Sequence, residues 1–254
     1  MGKLNSIDVI IPTFNSKELL KMAVESVNNQ TLEVNRIIVV DDGSDPEFIV
    51  YLDSEIRDLD KVMVVTNSHS GLPGKMRKIG LTYSSSEWVA FLDADDWWES
   101  DKLSVQLKIA LQKKADLVCT NATSWKNGAK NGQTVQCEDG FLRTEDLMAD
   151  NKVINSSVLV RRKILDLCDE YESSFQTRGV EDYCMWLRFS HFGKLYFLDQ
   201  SLVNYRVVDG SLSRQFHSNP RIFAHISYYR WLRERNMLNF WNRRKIQKYF
   251  LKGL

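Results

Sequence analysis

The sequence predicts an α/β protein: a mostly parallel sheet covered by helices on both faces, with a helical extension at the C-terminal end. Two observations lead there. Over the first 120 residues strand and helix patterns alternate, and each strand segment is apolar at nearly every position, as a strand buried on both faces must be. Polar clusters then follow those strands directly, at the carboxyl ends where open parallel sheets bind ligands.

Ile7 to Ile11 is a β-branched run ended by Pro12. A helix follows, in which Asn15 and Glu18 have capping-box spacing and Leu19, Leu20, Ala23 and Val27 share a face. Arg36 to Val40 is a second buried strand, closed by Asp41-Asp42-Gly43-Ser44, with Pro46 and Glu47 placed to open a helix. Lys61 to Val65 is a third strand. The loop Ser70-Gly71-Leu72-Pro73-Gly74 leads into a helix over Lys75 to Tyr83, and Trp88 to Leu92 is a fourth strand ending at Asp93-Ala94-Asp95-Asp96. A helix over Asp101 to Lys113 and a strand at Asp116 to Thr120 complete the regular part. Beyond it, Asn121 to Gly140 is polar with little periodicity. Val153 to Val160 and Leu195 to Leu198 pattern as strands, Glu181 to His191 as an aromatic-rich helix, and the segment after Pro220 as two helices.

A chain of 254 residues with 43% apolar and 26% charged residues has ordinary globular composition, which argues against disorder and coiled coil. No apolar run approaches the ~18 to 20 residues of a membrane-spanning helix, and the first residues lack a signal-peptide core, so the expectation is a cytoplasmic chain. Cys119, Cys137, Cys168 and Cys184 form no C-x-x-C pair and are expected as reduced thiols. His69, His191, His217 and His225 have no metal-ligand spacing. Charge is unevenly placed: from Arg214 onward ten basic residues stand against Glu234 alone, a net +9, while the remainder, with 24 basic and 32 acidic residues, carries −8. A basic aromatic tail of that kind suits an anionic membrane surface; helical pairing on the domain is the alternative, and nucleic acid is disfavoured by the acidic body.

Asp93, Asp95 and Asp96 cluster at a strand end, where three carboxylates repel unless a cation is present; hard oxygen donors favour Mg²⁺ or Mn²⁺, completed by substrate phosphates. A helix cap with an acidic first turn is the alternative. The Asp41 to Ser44 cluster is either a turn or a carboxylate placed for a nucleobase N–H or a ribose hydroxyl.

Taken together, Ile10-Ile11-Pro12-Thr13-Phe14-Asn15, Val40-Asp41-Asp42-Gly43-Ser44, Arg77 with Gly80, Phe91-Leu92-Asp93-Ala94-Asp95-Asp96 and Glu181-Asp182 closely resemble the inverting family 2 glycosyltransferases of the GT-A fold, in order from about Ile7 to Ser213. The resemblance implies a nucleotide-sugar donor, UDP-linked, and a glycan acceptor, lipid-carrier-linked as in bacterial surface polysaccharide assembly at the inner face of the cytoplasmic membrane. It implies that Pro12, Thr13, Phe14 and Asp42, with Asn15 and Ala94 beside them, hold the nucleotide with Arg77, that Asp93 lies near the ribose and that Asp95 ligates Mn²⁺ or Mg²⁺. Asp182 matches the catalytic base, with Glu181 as its alternative. Trp97 and Trp98, directly after the carboxylates, are candidates for acceptor contact, ahead of Trp125 and Trp186.

Two positions depart from the pattern. Val208 stands where many relatives carry histidine, leaving Asp209 or Arg214 as substitutes, and Lys78 replaces a frequent asparagine. The expected division is a glycosyltransferase domain over 1–213, with a nucleotide-sugar half (1–120) and an acceptor half (121–213), and the tail 214–254. A nucleotidyltransferase or a non-catalytic nucleotide-sugar or membrane-binding module are the rivals. A dehydrogenase is disfavoured because no G-x-G-x-x-G follows the first strand.

Overall fold

A computed structural model describes residues 5–169, 171, 174–207, 219–239, 243, 244, 246, 248 and 249. The first part of the chain follows the predicted alternation: β1 (Ile7–Thr13), α1 (Lys17–Asn28), β2 (Arg36–Asp41), α2 (Pro46–Tyr51), β3 (Val62–Thr66), α3 (Pro73–Tyr83) and β4 (Trp88–Phe91). Then come β5 (Trp97–Trp98), α4 (Lys102–Lys113), β6 (Leu117–Lys126), β7 (Ala129–Gln133), β8 (Gly140–Leu142), α5 (Thr144–Ala149), β9 (Leu159–Arg161), α6 (Arg162–Leu165), α7 (Glu181–Phe192), β10 (Leu195–Val207) and α8 (Pro220–Glu234).

All ten strands join one sheet, in the order β3-β2-β1-β4-β9-β6-β10-β5, with β7 on β6 and β8 on β10. The ladder from β3 to β4 is parallel, and so is β6 with β10; β9 runs antiparallel between β4 and β6. The crossover at β4 therefore places the carboxyl ends of β1, β2 and β4 beside the ends of β6 and β10 on one edge of the sheet.

Two apolar layers sandwich the sheet. One holds Ile11, Leu20, Val24, Val39, Phe48 and Leu103 beneath α1, α2 and α4. The other holds Ile10, Ile38, Met76, Phe91, Trp186 and Trp231 beneath α3, α7 and α8. Alternate residues of β1 thus face opposite layers, which explains why its sequence is apolar throughout; each such side chain fully buried stabilises by roughly 1.5–3 kcal/mol. Gly80 lets α3 lie close on the sheet, since a Cβ there would stand 2.5 Å from Ile10 Cγ2.

Several boundaries differ from expectation for identifiable reasons. Asn15 does not cap α1. It takes φ +48°, its Oδ1 accepts from Asp45 N–H at 3.0 Å, and Ser16 becomes the cap residue. Asp45 does cap α2, accepting from Phe48 N–H at 2.8 Å ahead of Pro46. The expected strand over Val153 to Val160 is broken by a 3₁₀ turn, Asn155–Ser157, whose polar groups turn toward the sheet edge. The segment after Thr120, unpatterned in sequence, continues β6 to Lys126 and folds back as β7. Of the two expected tail helices, the first is α8; it buries Ala224, Tyr228, Trp231 and Leu232 against the domain, and Arg188 donates to Ser227 Oγ at 3.0 Å. The second falls largely outside the described residues, as do Val208, Asp209, Arg214 and His217. No helix among the described residues is long and apolar enough to cross a membrane.

Candidate active site

The carboxyl edge of the sheet gathers the motifs through one buried cation. Arg77, on α3 and 5% exposed, donates Nη2–H to Asp93 Oδ1 at 2.6 Å and Nη1–H to Glu181 Oε1 at 2.8 Å. Asp93 and Glu181 hold the guanidinium firmly protonated against the opposing effect of burial. Its cation also lies 5.5 Å from the Tyr171 ring centre. One arginine thus fastens the β4 end to the start of α7.

This bridge separates the two residues that the sequence left open as a base. Both Glu181 oxygens are engaged, one by Arg77 and the other by Gly179 N–H at 2.7 Å. Asp182, half-buried beside it, accepts among the described residues only from Tyr183 N–H at 2.7 Å, and its pKa is pushed up to about 7 by burial first and by the Glu181 charge second.

The β4 end carries the second carboxylate group. Asp93 N–H donates to Ser156 Oγ at 3.1 Å, and Asn155 adds a 3.2 Å bond to Asp93 Oδ1 while accepting from Tyr171 O–H at 2.9 Å. The Asp95 carboxylate receives no hydrogen bond from another described residue; burial, and then the Asp93 charge, push its pKa up to about 6. Asp96 is 1% exposed and accepts from Arg206 N–H at 2.9 Å, yet its Oδ2 is buried without a partner, and burial followed by the Asp95 charge raises it well above the usual range. Ala94 is buried between them. Among the described residues no three His, Cys, Asp or Glu side chains are grouped as a complete metal cage. Mg²⁺ and Mn²⁺ sites need only one or two carboxylates when substrate phosphates complete the shell, and Asp95 with Asp93 beside it fits that partial donor set.

The edge expected to face a nucleotide is built from loops. Asp42 is clamped by the loop after β3: Ser70 N–H and Oγ–H donate to Oδ1 at 2.8 and 2.7 Å, and Gly71 N–H to Oδ2 at 2.7 Å. Thr13 is buried and its carbonyl accepts from Asp42 N–H at 3.0 Å. Phe14 is 45% exposed and stacks on His69, with ring centres 4.4 Å apart. Pro12 is half-buried on β1, and Asn15 ties this loop to Ser44, whose Oγ accepts from Asn15 N–H at 2.9 Å.

The two candidate tryptophans part company. Trp98 is 4% exposed, donates Nε1–H to Ser156 O at 2.8 Å and covers the buried Lys102 ammonium 3.9 Å below its ring. Trp98 is therefore a core residue, and its ring is not available to an acceptor. Trp97, on the opposite face of β5, stays half-exposed next to Trp125 and Arg206. A groove of about 550 Å³ lined by Phe141, Arg143, Thr144 and Lys194 lies at the other end of the sheet and shares no residue with this cluster.

Asn155, Ser156, Ser70 and Tyr171 are positioning groups that the sequence pattern did not single out. The one available signal was the polar triplet Asn155-Ser156-Ser157 inside an apolar stretch, which a continuous buried strand does not tolerate.

The family model for glycosyl transferase family 2 matches residues 8–166. The chain belongs to that family. This glycosyltransferase is 24% identical over 185 residues to the UDP-Glc:alpha-D-GlcNAc-diphosphoundecaprenol beta-1,3-glucosyltransferase WfgD of Escherichia coli, covering 71% of this chain and 68% of WfgD. It is 24% identical over 225 residues to glycosyltransferase GlyA of Streptococcus pneumoniae, covering 83% of this chain but spanning only 32% of that longer relative. Its fold matches the crystal structure of S. aureus TarS 1-349 in complex with UDP-GlcNAc at a TM-score of 0.77 and 19% identity, over 98% of this chain and 72% of that one. The family 2 glycosyltransferase accordingly has the GT-A fold that its motif order implied.

Proposed function

We propose that this glycosyltransferase moves a sugar from a UDP-sugar to a hydroxyl of a lipid-linked glycan acceptor, with inversion at the anomeric carbon and with divalent metal assistance. The observation that carries the reading is the Arg77 bridge. It bridges Glu181 and Asp93 with a single positive charge and leaves Asp182 and Asp95 without an ion pair to any described residue, at the start of α7 and the end of β4. The UDP-GlcNAc bound by TarS and the UDP-Glc named for WfgD support a UDP-linked donor. The diphosphoundecaprenol acceptor of WfgD supports a lipid-linked one.

In this reading Thr13, Phe14, Asp42 and Arg77 hold the nucleotide, with Pro12, Asn15 and Ala94 shaping the loops around it. Asp93 stays committed to Arg77 and orients the β4 end toward the ribose. Asp95 holds Mn²⁺ or Mg²⁺, which when bound offsets charge on the departing diphosphate. Asp182 accepts the proton of the acceptor hydroxyl as its oxygen forms the new bond to the anomeric carbon, and the bond from that carbon to the diphosphate oxygen breaks with its electron pair leaving on UDP. Burial suits Asp182 to this task, because a base with a pKa near the working pH takes protons efficiently without being permanently protonated.

The net +9 charge from Arg214 onward supports a position at the inner, anionic face of the cytoplasmic membrane. Calorimetry of UDP binding with and without Mn²⁺, followed by UDP release from a panel of UDP-sugars with a lipid-linked acceptor, tests the activity. Metal-independent UDP binding that survives Asp95→Ala would overturn the assigned metal position. Failure to bind anionic vesicles at low salt would remove the membrane assignment alone.

A further inference from the structure

Two cations beside the site are held in place without being neutralised. Arg206, on β10, donates Nε–H to the Asp95 carbonyl at 3.1 Å, and its guanidinium carbon lies 5.0 Å from the Trp97 ring centre. The other polar approach of its side chain among the described residues is to Met22 Sδ at 3.7 Å. Lys130, on β7, sits directly across from Trp125 in the β6–β7 ladder, with its ammonium 5.7 Å from that ring centre. Trp97 and Trp125 touch, with ring centres 5.4 Å apart. Neither cation forms an ion pair with any described residue. Of the nearby acids, Asp96 accepts from the Arg206 backbone and Glu99 accepts from Asn204, while the Asp95 carboxylate feels the Arg206 charge without forming an ion pair with it.

These residues make a continuous shelf from the Asp95 carbonyl outward through Arg206, Trp97, Trp125 and Lys130. Its floor is rigid, because Trp125 donates Nε1–H to Asn204 Oδ1 at 2.8 Å and Asn204 is paired with Trp97 in the β5–β10 ladder. An indole face orients a cation but does not cancel its charge, and an arginine anchored through Nε keeps its terminal nitrogens for a planar or tetrahedral anion.

We propose that this shelf binds the acceptor and selects one bearing a negative charge close to its accepting hydroxyl, either a phosphate of a glycosyl diphosphate or the carboxylate of an acidic sugar. The inference rests on the glycosyltransferase reading above and names the acceptor class for it.

The test is an NMR titration of the full chain saturated with UDP and Mg²⁺, so that the donor's own anion is already in place. The indole Nε1–H resonances of Trp97 and Trp125 are followed with three probes: a short-chain prenyl GlcNAc diphosphate, methyl glucuronide and neutral methyl glucoside. The two charged probes are expected to move both resonances and the neutral one to move neither, with the tighter charged probe identifying the source of the anion. Lys130→Gln, an exposed change on β7, is expected to weaken the charged probe about three- to fivefold, with the effect shrinking at high salt. Arg206→Gln is expected to weaken it at least as much. Charged probes that behave like the neutral one, or that bind Lys130→Gln and Arg206→Gln as tightly as the wild type, overturn the shelf. Resonances that move with UDP alone and no further with any probe assign the cations to the donor and also overturn it. Absence of UDP binding in the same samples is a separate result that counts against the donor reading.

Discussion

Arg77 and Glu181, 104 residues apart in sequence, meet in a buried ion pair at 2.8 Å, and that contact joins α3, packed on the parallel part of the sheet, to the helix carrying Asp182. Removing one partner of such a pair strands the other charge in the interior, at a cost of about 3–5 kcal/mol. Arg77→Ala is therefore expected to lower the urea midpoint sharply, and to remove UDP binding with it. Arg77→Lys should recover only part of either, since an ammonium cannot fork between Glu181 and Asp93. A variant with unchanged denaturation would show that the bridge is not what fixes α7.

Adjacent acids at the start of α7 should respond in opposite ways. Asp182→Asn removes the proposed proton acceptor but keeps the shape and the bond from Tyr183 N–H, so kcat is expected to fall about 10²- to 10⁴-fold with no loss of melting temperature. Glu181→Gln keeps the shape but loses the charge opposite Arg77, so its first effect should be on stability. Steady-state kinetics and calorimetric melting of the two variants decide between them. Equal losses of kcat with equal stability would contradict the division of roles.

The raised carboxylates give stability and activity opposite pH dependences. Asp182 and Asp95 hold protons in the folded state up to about 7 and about 6, whereas in the unfolded chain they release them near 4. The folded protein therefore binds more protons between about 4 and 7, and the contribution of these groups to stability is present at the acid end and lost as pH rises through that window. Activity runs the other way, because Asp182 accepts a proton only when ionised. The kcat/KM profile is expected to rise with an apparent midpoint near 7. A profile flat from pH 6 to 8 would count against Asp182 as base.

Asp95 should show a trade between stability and function. Asp95→Asn removes a buried charge repelled by Asp93 and is expected to raise the melting temperature of the metal-free protein at pH 7.5 by about 2–4 °C. The same change should abolish the metal dependence of UDP binding. A lowered melting temperature would mean that Asp95 is already stabilised by a partner within the chain.

How far the sequence reveals the site depends on which physical pattern carries each part. β1, β2 and β4 were legible because strands buried on both faces are apolar throughout, and their polar ends therefore stand out. The continuation of β6 past Thr120 and its return as β7 were not, because Asn121 is fully buried and spends its amide on Val135 and Asp199, a pairing that no hydropathy pattern reports. Trp97 and Trp98 were inseparable in sequence since neighbours on a strand face opposite ways, and only the packing of Lys102 and Ser156 shows which ring is interior. Glu181 stood in sequence as the alternative to Asp182, and its engagement by Arg77, set by the packing of α3, is a long-range contact that no local pattern reports. The geometry of α3 therefore carries much of the site.

That dependence can be tested at Gly80. A methyl group there would stand 2.5 Å from Ile10 Cγ2 and 3.2 Å from Val40 Cγ2, both inside the core beneath α3. Since neither β-branched side chain can swing away, Gly80→Ala must lift α3 from the sheet, at a cost of about 1–3 kcal/mol despite the better helix propensity of alanine. Arg77 lies three residues earlier on the same helix and shifts with it, lengthening its bonds to Asp93 and Glu181. The expected result is a lower urea midpoint together with weaker UDP binding, in a variant that touches no ligand. Stabilisation by alanine, the usual outcome at an exposed helical glycine, would show that α3 is not held against β1 and β2 as closely as its contacts indicate.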